Sequence, residues 1–566
     1  MNNDNKNFLL FAAIAALLLI GWPILQGRFF PTANPPATQI AGGKTQALPN
    51  PSAPAPNNPA AVRDRGAVLA SSPRIPIDTP TLKGSINLKG ARIDDLVLTQ
   101  YKETVDKNSP PIRLLSPAGS QDAYFAGFGW SDNGLKPPAA DTVWKATGAV
   151  LAPGKPVTLD AANATGQRFR ITIAVDDKYM FTVTQTVANG GTSAVPVSAF
   201  GLVNRSGVSK DVSTWTNHTG PMSVHNGAGD YGESFKNLDS APQTFSTTGG
   251  WLGFTDKYWL TAMIPDQAQP FDGEFRAGAN QTYQADYTSA PKLLQPGQQV
   301  SQSARFFAGA KEVRLTDDYQ NNEGIANFDK AIDWGWFRIV EKPIFYYLDW
   351  LFRHIGNFGV SIILLTITIR LLIFPIAQRQ FASMAAMRAI QPKMKALQEK
   401  HKDDKVRAQQ EVMALYKAEG VNPLAGCLPT FLQIPIMYSL YKVLLLTIEM
   451  RHQPFVLWIK DLSAPDPLTP LNLFGLLSFT PPHMIAIGVV PILLGISMFF
   501  QFRLNPAPMD EAQKQVFAIM PWVLMFVMAP FAVGLQVYWI TSNCWTIMQQ
   551  KILYARHPAL KQAVAK

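Results

Sequence analysis

The chain has 566 residues, too many for one hydrophobic core, so two domains or a domain plus a membrane region are expected. Its 50 Lys and Arg against 40 Asp and Glu leave a net charge of +10. A polytopic membrane protein gathers cations in its cytoplasmic loops for topological reasons, so this excess does not imply sequence-specific nucleic-acid binding. The two cysteines, Cys427 and Cys544, lie in apolar segments, and no metal-ligand spacing occurs. These exclude a disulfide-stapled soluble domain and leave no cofactor or metal to expect.

The first apolar run, Phe8 to Leu25, follows only Asp4 and Lys6 and shows no small-residue cleavage signature before Arg28. Its length suits a bilayer span, and residues 1–28 read as an uncleaved signal-anchor helix. Residues 29–80 read as a tether. Positions 31–60 hold eight prolines and 31–80 no aromatic residue, the composition of an extended, disordered chain. Over 81–330 the period becomes two: Phe169, Ile171, Ile173 and Val175 alternate with polar residues, Asp176 and Asp177 mark a turn, and Tyr179, Phe181 and Val183 resume the alternation. That is an antiparallel hairpin, and similar patterns recur at Ile86 to Leu98 and Trp251 to Ile264, so the segment reads as a β-sandwich. No nucleophile, base or ligand cluster stands out in it, which favours a binding or spacing role.

Residues 331–357 read as an amphipathic interfacial segment and 358–377 as a second span carrying one charge, Arg370. Residues 378–423 read as a helical hairpin. In its first arm Phe381, Met384, Met387, Ile390, Met394 and Leu397 recur every three or four residues. After the break from His401 to Asp404, a second arm runs through Val406, Met413 and Tyr416 to the helix-ending Gly420. The methionine stripe suits either packing between the arms or a pliable surface for apolar clients. A third span (424–448), a loop (449–483), a fourth span (484–502) and a short loop (503–515) follow. Between Lys514 and Lys551 lie 36 uncharged residues. As one helix they would be about 54 Å long against a hydrocarbon core of about 30 Å, so two spans, 516–533 and 534–550, are expected with a turn at Pro530 to Gly534, followed by a tail over 551–566. Six transmembrane helices result. Nine cations in 378–423, among them Lys393, Lys395, Lys400, Lys402, Lys405 and Arg407, against only Arg451 and Lys460 in 449–483, place the hairpin in the cytoplasm. Both termini are then cytoplasmic, and the large domain is periplasmic in a Gram-negative cell.

Arg370 lies about 10 Å inside the cytoplasmic end of its span, where an unsolvated charge costs about 3 kcal/mol or more. Snorkelling is one escape and a polar cavity another. Other spans carry unusual polarity too: Thr366 one turn before Arg370, Thr430 and Gln433 on one face of the third span, Gln501 at the end of the fourth, and Gln536, Thr541, Ser542 and Asn543 in the sixth. Lipid satisfies none of these groups, whereas a water-filled cavity open to the cytoplasm does.

Several runs resemble the YidC family of membrane protein insertases. They are Asp333-Trp334-Gly335-Trp336; Gly356-Asn357-Phe358-Gly359 leading to Thr366 and Arg370; Leu415-Tyr416-Lys417; Asn422-Pro423-Leu424-Ala425-Gly426-Cys427-Leu428-Pro429; Gln433-Ile434-Pro435-Ile436; Asp461-Leu462-Ser463; and Gln549-Gln550-Lys551. The likeness is nearly continuous over 330–555, while the signal anchor and large domain match in architecture more than in motif. It implies a five-helix core around a hydrophilic groove, an essential-looking arginine at Arg370, groove positions at Thr366 and Gln433, and a basic hairpin that recruits clients. Nascent integral membrane proteins, the Sec translocon with its accessory subunits, the ribosome, the signal recognition particle with its receptor, and membrane lipids are the partners so implied. Residues 468–483 depart from the family pattern: the loop looks longer, and Leu471 to Phe479 is too short to span, so it is expected at the periplasmic surface. A secondary transporter for an anionic solute is the alternative, but no internal repeat is visible and the basic hairpin has no place in it. A hydrolase lacks Gly-x-Ser-x-Gly, His-Glu-x-x-His and paired membrane aspartates.

Overall fold

A computed structural model describes residues 63–131, 134–211, 217–401, 404–420, 428–472, 474, 476–477, 487–503 and 511–556, together with Gln39–Ala41 and Lys44–Gln46. Residues 32–333 with 446–448 form one compact unit and the remainder another.

The first unit is a sandwich of two antiparallel sheets, each of nine strands among the described residues. The expected hairpin pairs Gln167–Val175 with Met180–Asn189, Ile173 lying opposite Val183 and Phe169 opposite Val187. Its turn is held by Asp176, whose carboxylate accepts from the amides of Lys178 (2.9 Å) and Met180 (3.0 Å). The inward residues Phe169, Ile171, Ile173, Phe181 and Val183 are fully buried, as period two requires of a strand with one covered face. The other two patterned stretches are hairpins as well: Leu82–Asn87 pairs with Arg92–Lys102, and Trp251–Thr255 with Trp259–Ile264. Phe128 meets Phe306 across the sandwich at 6.3 Å, and the buried Gln185 sends its amide to the carbonyls of Gly129 (2.6 Å) and Phe200 (3.3 Å) on the facing sheet. Among the described residues three α-helices complete the unit: α1 (Arg65–Ala70), α2 (Phe235–Ser240) and α3 (Val313–Asn321).

The tether expectation over 29–80 meets folded structure in its last third. Strand Arg74–Asp78 pairs with Leu82–Asn87 and buries Ile77 and most of Ile75. Pro76 is tolerated because this strand forms the edge of its sheet, where a missing amide leaves no neighbour unpaired. Further back, Gln39–Ala41 and Lys44–Gln46 pair as a short antiparallel ladder.

The second unit is helical: α4 (Arg338–Ile355), α5 (Phe358–Lys400), α6 (Lys405–Ala418), α7 (Leu428–Leu446), α8 (Val489–Arg503), α9 (Glu511–Met528) and α10 (Val533–Arg556). Gly356, at φ +73°, ends α4 in the left-handed conformation that glycine adopts without strain, and Asn357 caps α5 by accepting from the Val360 amide at 3.1 Å. α5 continues unbroken for 43 residues, so the second span and the first hairpin arm are one helix of about 64 Å. Among the described residues Phe358–Gln378 is the one stretch long and apolar enough to cross a bilayer; shorter apolar stretches occur at Ile434–Leu446, Val489–Arg503 and Ala518–Met528. The long uncharged run divides between α9, ending at Met528, and α10, starting at Val533. The signal anchor lies outside the described residues.

Candidate functional site

Two polar contacts of the helical unit meet on α10. Arg370 of α5 donates through Nε to the Ser542 hydroxyl oxygen at 3.1 Å, and its Nη2 donates to the same oxygen. Tyr538, one turn earlier on α10, is buried on the same side of the helix as Ser542. Among the described residues no carboxylate pairs with Arg370. Among those residues its positive charge is oriented by a neutral hydroxyl.

Asn543, next in sequence to Ser542, points to a different helix. Its Nδ2 donates to the Ser497 hydroxyl of α8 at 2.8 Å, and both side chains are buried. Two consecutive residues on a helix face directions about 100° apart, so Ser542 and Asn543 bind α10 to α5 and α8 at one level. Ser542 is among the polar positions expected in the sixth span, though without a partner, and Ser497 and Tyr538 are not among the expected residues. A single serine or tyrosine within an apolar helix gives no signal of its own for Ser497 or Tyr538.

The expected groove residues fare differently. Thr366 is buried one turn from Arg370, but its hydroxyl donates to the Ile362 carbonyl of its own helix at 2.7 Å. Thr368 does the same to Leu364 and also meets the Tyr347 hydroxyl of α4 at 3.0 Å, which ties α4 to α5. Gln536 is fully buried in the first turn of α10. Its amide donates to the carbonyls of Met528 (2.9 Å) and Phe531 (3.0 Å), closing the turn from α9 about 9 Å along the axis from Ser542. Gln501 is half-buried near the end of α8 and joins none of these groups. Thr430 and Gln433 fall on α7, with side chains outside the described residues.

In the hairpin Lys393 pairs with Glu419 at 2.6 Å, joining α5 to the end of α6, and Asp404 caps α6 through the Arg407 amide at 3.0 Å. Lys400 and Arg407 are exposed. The side chains of Lys395 and Lys405, and all of Lys402, lie outside the described residues.

A loop residue that spacing did not single out organises the end of α8. Asp466 accepts from Trp458 Nε1 and the Leu468 amide, each at 3.0 Å, and from the Val490 amide at 2.8 Å. Gly488 runs so close that a β-carbon there would come within 2.6 Å of the Asp466 side chain.

Residues 74–347 match the family model of the YidC periplasmic domain, and residues 350–561 match that of the 60Kd inner membrane protein. A membrane protein insertase YidC of Zymomonas mobilis is 49% identical over 98% of this chain and 96% of its own length. The chain belongs to the YidC family. A second YidC insertase, from Methylobacterium nodulans, is 45% identical over the same shares. A crystal structure of an active YidC insertase aligns with 86% of this chain and 93% of its own at 18% identity and a TM-score of 0.36. The protein is thus a non-enzymatic insertase of the inner membrane with a β-rich periplasmic domain, and nascent membrane proteins are its substrates.

Proposed function

We propose that this insertase works through a hydrophilic groove centred on Arg370, with Ser542 as its orienting partner and Thr430, Gln433 and Gln501 contributing polarity along its walls, while Thr366, Gln536 and Asn543, whose polar groups are bonded within the helical unit, brace it. A client's short hydrophilic segment enters from the cytoplasm, where water and the arginine charge lower its desolvation penalty. Its apolar segment leaves between helices into lipid, and that burial drives insertion. The membrane potential contributes about 2.3 kcal/mol per charge per 100 mV to a charged segment, in a direction set by its sign. The observation that carries this reading is the Arg370 cation, which among the described residues is held by a neutral hydroxyl and no carboxylate, among spans of unusual polarity. A structural arginine would be expected to own a carboxylate; one that awaits a transient anionic or polar guest would not.

In this reading six spans cross the membrane, both termini are cytoplasmic, and the 378–423 hairpin recruits ribosome-bound or signal-recognition-particle-bound clients through its net charge of +4. The insertase acts alone or beside the Sec translocon. A photo-crosslinker replacing Tyr538 tests the route against one replacing Val523, which is exposed on α9. The client's polar segment should crosslink at 538 and not at 523 during insertion. Equal crosslinking at both, or none at 538, would place the polar segment elsewhere.

A further inference from the structure

The loop that departs from the family pattern presents an apolar surface. Leu476 is 84% exposed, and Leu471, Phe474 and Leu477 are also exposed, as are Val456 and Leu457 in the adjoining turn. Between Asp466 and His483 there is no charged residue. A contiguous exposed apolar patch is uncommon on a soluble surface and marks a contact with protein or membrane.

Its position is fixed. Asp466 holds Leu468 and Val490 together, and the Val489 amide donates to the Leu468 carbonyl at 3.0 Å, so the start of the loop is tied to the first turn of α8. The Phe474 amide donates back to Thr469 at 3.0 Å, which keeps the patch beside that turn. From there α8 carries an exposed apolar stripe, Leu493, Ile496 and Phe500, at the three-to-four-residue spacing of one helix face. The exposed apolar surface of the span thus continues into the loop.

We propose that Leu471, Phe474, Leu476 and Leu477, with Leu457, seat in the boundary between headgroups and acyl chains of the periplasmic leaflet and anchor the periplasmic end of α8 there. This rests on the topology given above. Lipid is the occupant that fits: it covers apolar side chains without demanding the polar rim of a protein docking site, and the stripe on α8 already faces it. Nine apolar residues are too few to cross a bilayer, which leaves its interface as the place where Leu471, Phe474, Leu476 and Leu477 are covered.

The test uses the full chain with Cys427→Ala and Cys544→Ala, checked for insertion activity, and a single Leu476→Cys carrying an environment-sensitive fluorophore. It is reconstituted in phosphatidylethanolamine–phosphatidylglycerol vesicles containing a lipid with a shallow nitroxide. The label should be quenched by the nitroxide lipid, protected from aqueous iodide, and blue-shifted relative to a label at Lys155→Cys. Iodide quenching equal to that at 155 would overturn the proposal, and so would protection from both quenchers, which signifies a protein contact. An impermeant thiol reagent applied to Lys155→Cys and Lys400→Cys tests the topology separately: labels on the same side refute that topology whatever the result at 476.

Discussion

Replacing Ser542 with alanine removes the hydroxyl that holds two donors of Arg370 and leaves the rest of α10 unchanged. A hydrogen bond to a charged group contributes about 1.5–3 kcal/mol net, so the population of the held orientation should fall by about 10- to 150-fold if nothing replaces it. Water in a groove can replace it in part, and the functional loss should be smaller, roughly 3- to 10-fold. It should also be selective. Without its anchor the guanidinium is free to swing toward the cytoplasmic headgroups, which matters for a client whose translocated tail is acidic and little for one whose tail is neutral and short. The assay is protease protection of the two tails in vesicles containing each variant, with expression and detergent melting measured alongside. Ser542→Thr, which keeps the oxygen, should restore the acidic client. If Ser542→Ala inserts both clients like the parent, or impairs both equally with a lowered melting point that threonine does not repair, orientation of Arg370 by Ser542 is not part of the mechanism.

Asn543→Ala should loosen α10 from α8 by about 1–2 kcal/mol, read as a lower melting temperature in detergent; unchanged melting would mean that the Ser497 contact contributes nothing. Reversing Lys400, Lys402 and Lys405 to Glu takes the hairpin from a net +4 to −2 and should weaken association with ribosome–nascent-chain complexes at low salt; unchanged, salt-independent binding would place recruitment elsewhere. In the periplasmic domain burial pushes the Asp286 carboxyl up to about 7, against Arg276 at 3.0 Å and Gln284 at 2.6 Å. An acid raised on folding binds its proton more tightly in the folded state. Its contribution is therefore present at low pH and is lost as pH climbs from the ordinary carboxylate range through about 7. Asp286→Asn should flatten that fall, seen as hydrogen-exchange protection of Thr282–Ser289 in the full-length protein from about pH 4, the ordinary carboxylate value, to about pH 8, one unit above the raised one. An equal slope in both proteins would contradict it.

Much of this architecture is legible in the sequence because it is periodic. Phe169 to Val183 declares its hairpin by alternation, and the uncharged run before Lys551 must divide because no bilayer is thick enough to hold it as one span. Boundaries read from composition are less secure. The proline-rich stretch conceals strand Arg74–Asp78, because an edge strand accepts Pro76 while Ile75 and Ile77 turn inward. Hydropathy changes near Ala377, yet α5 runs straight through, since the backbone hydrogen bonds of a helix do not depend on whether lipid or water surrounds it. Least legible are polar partners far apart in sequence. Arg370 announces itself by its cost in a span, but Ser542 lies 172 residues away, and nothing local distinguishes it from Thr541. Gln536 stands out for the same reason as Arg370, and its amide closes the turn from α9.

The charge at Arg370 is the centre of the account, and its removal is the most direct trial. Protease protection of a short acidic tail is to be compared in vesicles containing the parent protein, Arg370→Ala and Arg370→Lys, at matched expression and folding. Alanine should abolish most of the protection and lysine should restore much of it, because a point charge at the same depth still attracts an anion and holds water. Full protection with Arg370→Ala would show that the arginine merely snorkels, and would remove it from the mechanism.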